Sequence, residues 1–271
     1  PDLPYFYWVR AATDLHGANS TLTSDMAVGY HGTIHPVWVG QVDDILDNDA
    51  DIGNRFNPFL SIQDAISWST SGIEQKIFLL PGQYNECIDF LGKSITVRSL
   101  EYLEESEDPK QYGLGLGYIE RTILNPNGYG PAVLFVSEED PNSVLMGITI
   151  TGGEAQYGAG VYCEKSAPTI RNCLITDNRA WAYGGGISCF KSQATFLNCT
   201  IIGNYSDFLA GGIETLDDGN DVSIFRNCII WNNDAKSAID ANEANFWISC
   251  SEPNVRYSMV GEIYYDTNGI K

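Results

Sequence analysis

Residues 158–183 read GAGVYCEKSAPTIRNCLITDNRAWAY, and the 26 residues that follow, 184–209, read GGGISCFKSQATFLNCTIIGNYSDFL. Ten of these 26 aligned positions are identical. A third copy begins with AGGIET at residue 210, contains a three-residue insertion, and rejoins the pattern with NCII at residues 227–230. A repeat of this length indicates a solenoid, in which each copy buries its apolar face against its neighbours.

Within each copy, small or branched apolar residues recur at every second position, as in short β-strands with one buried face. Glycine and asparagine between the strands supply the backbone conformations that tight corners need. We expect units of three short strands to stack at about 4.8 Å per coil, so that equivalent residues form columns. The expected inward columns are Val161, Ile187 and Ile213; Cys163 and Cys189; and Cys173, Cys199 and Cys228. The expected asparagine ladder, at one corner, is Asn172, Asn198 and Asn227.

The pattern weakens toward the N-terminus but continues there, which predicts an all-β parallel β-helix of about seven coils over residues 34–271. Ser61, with Asp64 three residues later, predicts the start of a short helix near residues 61–69 that covers the N-terminal end of the stack. Residues 1–33 are expected to form a separate aromatic segment. A leucine-rich repeat has a similar period, but the leucines and the helical half of such a repeat are missing here.

The composition is strongly acidic, with 35 Asp and Glu against 15 Lys and Arg and a formal net charge of −20. This charge excludes a nucleic-acid partner, because the phosphate backbone would be repelled. It also opposes binding to an anionic sugar unless Ca²⁺ or a local basic patch bridges the two. No apolar run approaches the length of about 20 residues that a membrane span needs. The seven cysteines are an odd number, so at least one thiol is free or pairs between chains.

Residues 58–100, PFLSIQDAISWSTSGIEQKIFLLPGQYNECIDFLGKSITVRSL, are similar to the opening of secreted bacterial right-handed β-helix proteins of the pectate-lyase-like superfamily. The GGGI and NC elements of the repeats resemble the repeat consensus of those proteins. The resemblance covers about residues 34–265 and implies a right-handed coil and an extracellular or cell-surface location. The start at Pro1, without a methionine, is expected of a mature chain after removal of an export signal.

The resemblance implies no single activity, because many proteins of this kind are adhesins or surface proteins. The repeats contain no histidine and no RxPxxR segment like that of pectate lyases, and the motifs of polygalacturonases and pectin methylesterases are absent as well. These absences favour a role without catalysis and leave the question of enzymatic activity open.

Acidic residues nevertheless provide candidate sites. The alternation of Asp47, Asp49 and Asp51 predicts a Ca²⁺ site, for which an ordinary solvated loop is the alternative. A glycosidase needs two carboxyl groups on one face, and the candidates for these groups are Asp177, Glu214, Asp217 and Asp218. The nearest cations for a lyase are Lys165, Arg171, Arg179 and Lys191. Solvated corners are the structural alternative for these residues.

Two hypotheses for the function follow. The first is a surface or matrix protein that associates with itself, with end-to-end filaments as one form of the assembly, through an aromatic strand formed by Tyr5, Phe6, Tyr7, Trp8 and Val9. The second is a module that binds or cleaves glycans, with Trp181, Tyr183 and Tyr205 stacking on sugar rings.

Overall fold

A computed structural model describes residues 36–40, 53, 57–70, 75–100, 117–216, 222–237, 244–249, 254–256, 258–260 and 264–265. Within these ranges the chain forms two short helices, α1 (Ile62–Trp68) and α2 (Gly117–Arg121), and 26 short strands. The strands are β1 (Val37–Val39), β2 (Gln75–Leu79), β3 (Gly82–Tyr84), β4 (Ile88–Asp89), β5 (Ile95–Ser99), β6 (Thr122–Leu124), β7 (Val133–Phe135), β8 (Val144–Met146), β9 (Thr149–Ile150), β10 (Glu154–Tyr157), β11 (Val161–Glu164), β12 (Thr169–Arg171), β13 (Leu174–Thr176), β14 (Arg179–Tyr183), β15 (Ile187–Phe190), β16 (Thr195–Leu197), β17 (Thr200–Ile202), β18 (Tyr205–Ser206), β19 (Ile213–Leu216), β20 (Ile224–Arg226), β21 (Ile229–Trp231), β22 (Asp234–Ala235), β23 (Phe246–Ser249), β24 (Asn254–Arg256), β25 (Met259–Val260) and β26 (Tyr264–Tyr265).

The strands form four parallel sheets, here called A to D. Sheet A has the order β1-β2-β5-β8-β12-β16-β20-β24, sheet B the order β3-β6-β9-β13-β17-β21-β25, sheet C the order β4-β7-β11-β15-β19-β23-β26, and sheet D the order β10-β14-β18-β22. Consecutive strands lie in different sheets: β11 is in C, β12 in A, β13 in B and β14 in D, before β15 returns to C beside β11. This path is a parallel β-helix, which confirms the predicted fold class.

Two details of the predicted coil were wrong. A complete coil has four strands instead of three, because β14 and its equivalents form sheet D. Sheet D has only four strands, so about four turns contain a strand in each of the four sheets, fewer than the seven coils expected. The paired residues Thr169 and Thr195 are 26 residues apart, whereas Ile77 and Val97 are only 20 apart. The shorter N-terminal turn has room for three strands alone.

Inward-facing residues of successive coils form one continuous core. Val161 pairs with Ile187, which pairs in turn with Ile213, and all three are fully buried. Phenylalanine rings stack along the same axis, with 4.9 Å between the ring centroids of Phe196 and Phe225. Each such side chain contributes roughly 1.5–3 kcal/mol by leaving water. The largest fully buried aromatic residues are Phe90, Phe135, Phe196, Phe225 and Phe246.

The predicted helix is present as α1 and closes the core at its N-terminal end. The Ser61 side chain accepts a hydrogen bond from the backbone N–H of Asp64, which makes Ser61 the N-cap. The carboxylate of Glu86 accepts two further N–H groups of the first turn. Ile62 and Ile66 are fully buried and belong to the main core.

A ladder of buried asparagine side chains connects the coils at the corner between sheets B and D. The Nδ2 of Asn178 donates to the Oδ1 of Asn204 (2.9 Å), Asn204 donates in the same way to Asn233 (2.9 Å), and Asn233 donates to Asn245 (3.1 Å). Each of these amides also donates to a backbone carbonyl of the coil before it, as Asn204 does to Ile175. The amide groups of Asn178, Asn204 and Asn233 are thereby satisfied inside the core.

The asparagine ladder expected from the sequence lies at a different corner. Asn172, Asn198 and Asn227 follow strands of sheet A, each with a positive φ of 53°, and the last two are exposed to solvent. Asn227 donates to the Oδ1 of Asn198 at 3.2 Å. Asparagine tolerates this left-handed conformation better than most residues. These residues therefore make the turn, while the buried amide network belongs to the other asparagine position of the repeat.

We expect Asn204→Ala to lower the free energy of unfolding by about 3 kcal/mol, because it removes the partner of the buried Asn178 amide and of the Asn233 carbonyl oxygen. Denaturant unfolding followed by circular dichroism measures the change. The matched control is Asn198→Gly, which alters an exposed asparagine whose φ suits glycine. Equal losses in the two variants would contradict a dominant role for the buried ladder.

Candidate functional site

The outer face of sheet C carries a column of three polar side chains on successive coils. Tyr162 in β11 pairs with Ser188 in β15, and Ser188 pairs with Glu214 in β19. Their sequence neighbours, such as Val161 and Cys163, face the core, so strand alternation places this polar column on the outer face. Outer-face position predicts exposure, yet Ser188 and Glu214 are buried.

A row of aromatic residues from sheet D lies beside the polar column. Tyr157 and Tyr183 end strands β10 and β14, and Phe208 follows β18. The rings of Tyr157 and Tyr183 are parallel, with 6.2 Å between their centroids, and Phe208 meets Tyr183 edge-on at 5.3 Å. This aromatic row spans three successive turns, and its geometry is favourable for aromatic pairs.

A glycine corner brings the aromatic row toward the polar column. Gly158 and Gly184 directly follow Tyr157 and Tyr183 and have φ values of +53° and +67°. A Cβ on Gly184 would lie 2.9 Å from the Cβ of Ser188, so the chain passes very close to the column at this point. Only glycine combines the positive φ with this close approach.

Glu214 is the most perturbed carboxyl group on this face. Its side chain is only 4% exposed, and the Ser188 hydroxyl donates a hydrogen bond to Glu214 Oε2 at 2.7 Å. Burial raises the pKa of Glu214 to about 7, because the charged form loses its hydration, and the hydrogen bond from Ser188 opposes this only in part. The charge of Glu214 in turn helps to raise the pKa of Tyr183, after the larger effect of burial.

A second carboxyl group on the same face is shifted in the opposite direction. Glu164 accepts hydrogen bonds from Lys165 Nζ at 3.0 Å and from the Tyr162 hydroxyl at 3.1 Å. The hydrogen bond from Lys165 is the main cause of the lowered pKa of Glu164. Burial, followed by the charge of Glu164, raises the pKa of Tyr162. At neutral pH Glu164 is therefore ionised, whereas Glu214 is present in both its protonated and its ionised form.

This arrangement can support two kinds of chemistry. The partly exposed rings of the aromatic row can stack on the apolar faces of sugars. Two carboxyl groups whose environments move their pKa values apart are the arrangement that separates a proton donor from an ionised partner in acid–base catalysis. Because Glu214 is only 4% exposed, a substrate would reach it only after neighbouring side chains moved.

The other residues considered from the sequence are spread over several faces. Asp177 is exposed at a corner. Arg179 forms an ion pair with Asp207 at 3.0 Å and lies over the ring of Tyr205, and Trp181 is 57% exposed on the same sheet D. Among the glycosidase candidates that the structure describes, Glu214 alone lies in the site. The sequence analysis did not identify Tyr157, Tyr162 and Ser188 as site residues. The only feature of the sequence that could have indicated them is their outward position in the repeat.

Several predicted residues lie outside the described ranges. These are Asp47, Asp49 and Asp51 of the Ca²⁺ prediction, Asp217 and Asp218, and the strand Tyr5, Phe6, Tyr7, Trp8 and Val9. The Ca²⁺ site therefore stays a prediction. In the part of the chain that the structure describes, no group of three or more His, Cys, Asp or Glu side chains is placed to hold a metal ion.

The predicted cysteine columns lie in the core. Cys163 pairs in register with Cys189, and both are buried. Cys173, Cys199 and Cys228 are also buried, and each thiol donates a weak hydrogen bond to a backbone carbonyl of its own coil and of the coil before it. All the cysteines within the described ranges are free thiols. They pack as small core residues.

The sequence model of the family described as "Right handed beta helix region" matches residues 119–269. The chain belongs to this family. The family establishes the right hand of the coil that the resemblance implied. No curated protein matches the chain, and no helix in the described residues is long and apolar enough to cross a membrane.

Two solved structures of the pectin methylesterase from Aspergillus niger, both of deglycosylated forms, are similar to this β-helix. One has 15% sequence identity and a TM-score of 0.43, and it covers 76% of this chain and 74% of its own. The other has 12% identity and a TM-score of 0.38, and it covers 82% of this chain and 75% of its own. Neither similarity bears on what this chain binds.

We expect the unfolding free energy to fall as the pH rises from about 4.5 to about 7, by at most about 3 kcal/mol, and then to level off. The reason is that the folded state holds the proton of Glu214 more tightly than the unfolded state does. Glu214→Gln, which can still accept the Ser188 hydrogen bond, should remove this slope and be the more stable protein at pH 8. Denaturant unfolding at a series of pH values measures it.

The control is Glu164→Gln. The pKa of the Glu164 carboxyl group is lowered, so its removal should change the pH dependence of stability only at acidic pH. If the wild-type protein and Glu214→Gln show the same pH dependence between 4.5 and 8, the carboxyl of Glu214 is hydrated in solution and the described burial is wrong.

Proposed function

We propose that this protein binds a polysaccharide outside the cell, along the aromatic row and the polar column of sheets C and D. The aromatic row carries the proposal, because it repeats on three turns and stays accessible to solvent. Phe208 is 46% exposed and Tyr157 is 38% exposed. Aromatic side chains exposed in a continuous row mark interaction surfaces more often than isolated ones do.

The spacing of the row supports a polymeric ligand. Successive coils are about 4.8 Å apart, and an extended polysaccharide advances by about this spacing with each sugar. Tyr157 and Tyr183, whose rings are parallel, can therefore meet equivalent parts of the polymer, whereas Phe208, which is edge-on to Tyr183, presents a different side of its ring. The hydroxyl and carboxyl groups of Tyr162 and Glu164 lie on the adjoining sheet and can bind sugar hydroxyls, so the two sheets together offer the apolar and polar groups that a sugar site needs.

A more specific hypothesis is that the protein also cleaves the bound polymer. The pKa of Glu214, about 7, suits a general acid at neutral pH, and Glu164 could act as the ionised partner. The burial of Glu214 favours binding alone, since the carboxyl group is not presented to a ligand on the surface. The appearance of new reducing ends would reveal cleavage separately from binding.

We expect Tyr183→Ala to weaken polysaccharide binding by roughly fivefold to tenfold, because it removes the central ring of the aromatic row and its stacking energy of about 1 kcal/mol. The measurement is calorimetry with the polymer that binds most tightly in a panel of neutral and acidic polysaccharides. Trp231→Ala is the control, because Trp231 is 49% exposed and lies on sheet B, outside the row. Binding that is equal in the two variants would refute the proposed surface, as would a panel without any ligand.

Self-association is the second candidate function. Strands β24, β25 and β26 are the last strands of sheets A, B and C, and the edge strand of a parallel sheet can accept a strand from another molecule. The aromatic strand Tyr5–Val9 is the segment expected to fill this role. This hypothesis stays a prediction, since residues 5–9 lie outside the described ranges.

Deletion of residues 1–12 should leave a folded β-helix that no longer assembles, if the N-terminal strand of one molecule covers the last coil of the next. Electron microscopy compares the intact chain with the deletion at equal concentration, and circular dichroism checks that both are folded. Dispersed particles in both samples would rule out self-association through this segment.

A further inference from the structure

Three tyrosine side chains meet at the corner between sheets D and C, near the carboxyl group of Glu214. The rings of Tyr157 and Tyr183 are parallel on successive turns, with 6.2 Å between their centroids. Tyr162 lies across the glycine corner from Tyr157, because a Cβ on Gly158 would be 3.0 Å from the Cβ of Tyr162. Glu214 lies two strands further along the polar column that contains Tyr162. These three rings and the carboxyl group are here called the tyrosine cluster.

The members of the tyrosine cluster are close enough to act on one another's charge. After burial, the main causes of the raised pKa of Tyr183 are the charges of Glu214 and Tyr157. The pKa of Tyr162 is raised mainly by burial and by the neighbouring Glu164. Glu214 and Tyr157 contribute further to this shift. Additional negative charge is therefore unfavourable at this corner, and a positive charge would be favourable for the same reason.

The strands around the tyrosine cluster carry more acidic than basic residues. Strands β10, β11, β14, β15, β18 and β19 together contain one basic residue, Arg179, and three acidic ones, Glu154, Glu164 and Glu214. Arg179 is paired with Asp207 at 3.0 Å, so its charge is compensated. Lys165 and Lys191 follow β11 and β15 at the ends away from the glycine corner. With −20 on the whole chain, the site repels an anionic sugar and attracts a cationic one.

Glu214 can act on a bound cation without touching it. Its side chain is only 4% exposed, but charge interactions extend over several ångström and are weakened less by water where the groups are partly buried. The charge of Glu214 already acts on Tyr183, whose ring is only partly buried. It would act in the same way on a cation bound against that ring.

Aromatic rings next to a carboxylate are a favourable environment for an ammonium group. The face of a tyrosine ring attracts a cation that lies within about 6 Å of the ring centroid, and groups of aromatic residues bind substituted ammonium ions in this way. Tyrosine hydroxyl oxygens can in addition accept hydrogen bonds from the ammonium N–H groups. An amino sugar offers both an apolar ring face for the aromatic row and an ammonium group for the tyrosine cluster.

We propose that the polysaccharide bound along the aromatic row is a polymer of amino sugars whose amines are free and positively charged. This inference rests on the proposed function and makes its ligand more specific. The sugar rings stack on Tyr157 and Tyr183, and the ammonium groups lie against the tyrosine cluster, where the charge of Glu214 attracts them. Neutral and acidic polymers lack this second interaction.

The test compares two oligosaccharides that differ only in this charge. Chitosan hexaose carries a free amine on every sugar, and chitin hexaose has the same backbone with every amine acetylated. Titration calorimetry with the full chain, at neutral pH and low salt, measures both affinities. We expect chitosan hexaose to bind roughly tenfold more tightly, because acetylation removes the cation–π and charge interactions. Equal affinities, or tighter binding of chitin hexaose, would overturn the inference.

Glu214→Gln should weaken the binding of chitosan hexaose severalfold and leave that of chitin hexaose unchanged. Glutamine keeps the volume of the side chain and can still accept the hydrogen bond from Ser188, but it carries no charge. The matched control is Asp177→Asn, which removes one exposed acidic group two residues before β14, whose other end carries Tyr183. The φ of +54° at Asp177 suits asparagine, so this variant keeps its corner.

The two variants separate a local effect from diffuse attraction. Equal weakening of chitosan hexaose binding by Glu214→Gln and Asp177→Asn would show attraction by the net charge alone and would overturn the inference. Wild-type binding of chitosan hexaose by Glu214→Gln would overturn it as well.

Failure of this inference can be distinguished from failure of the proposed function. If a neutral or acidic polymer of the panel binds and Tyr183→Ala weakens it, while chitosan hexaose does not bind, the aromatic row is a polysaccharide site and only the preference for amino sugars is wrong. If neither the hexaoses nor any polymer of the panel binds, both proposals are wrong.

Discussion

The buried asparagine ladder is the interaction on which the regular part of the helix depends. Hydrophobic columns alone would allow one coil to slip against the next, since one aliphatic side chain packs on another with little directional preference. An amide that donates to its equivalent one coil away, and to a backbone carbonyl, has a single register. The ladder therefore fixes the alignment of β14 and its neighbours.

The same ladder restricts the next corner to glycine. A Cβ on Gly186 would lie 3.0 Å from the Nδ2 of Asn204 and 2.7 Å from the carbonyl oxygen of Gly212. These distances are too short for a Cβ, and the equivalent Gly160 and Gly212 are restricted in the same way, so the ladder and the neighbouring backbone together keep this position of the repeat glycine. The tight corner in turn places the end of sheet D against sheet C.

The sequence was sufficient for the fold class but not for the coil count. Identity at a fixed period predicts which residues stack, as with Val161 and Ile187, because stacking follows from the repeat alone. The period does not reveal how many strands one turn contains, since corners and short strands both consist of few residues. Two asparagine positions, Asn172 and Asn178, repeat equally well, and only the direction of each corner decides which one is buried.

The site was predictable only in part for a similar reason. Glu214 was among four acidic candidates from the sequence, but alternation placed it on an outer face, where a carboxyl group is normally hydrated. Its low exposure arises from the packing of neighbouring strands, since its own outward position would leave it hydrated. The periodicity within one strand contains no information on that packing. Ser188 could be recognised only after the register had placed it beside the carboxyl group.

The distribution of charge separates the faces of the helix. A solenoid repeats each outward position, so a charge at one position would be multiplied along the axis, and like charges would be stacked about 4.8 Å apart. On sheet A, Met146 separates Arg98 from Arg171 and Leu197 separates Arg171 from Arg226, which doubles these separations and reduces the repulsion, while Arg226 and Arg256 lie on adjacent strands. On sheet D the exposed Arg179 is instead neutralised by Asp207. Cations on a strongly acidic molecule are thus balanced by an acidic neighbour on one face and, for the most part, separated by apolar residues on another.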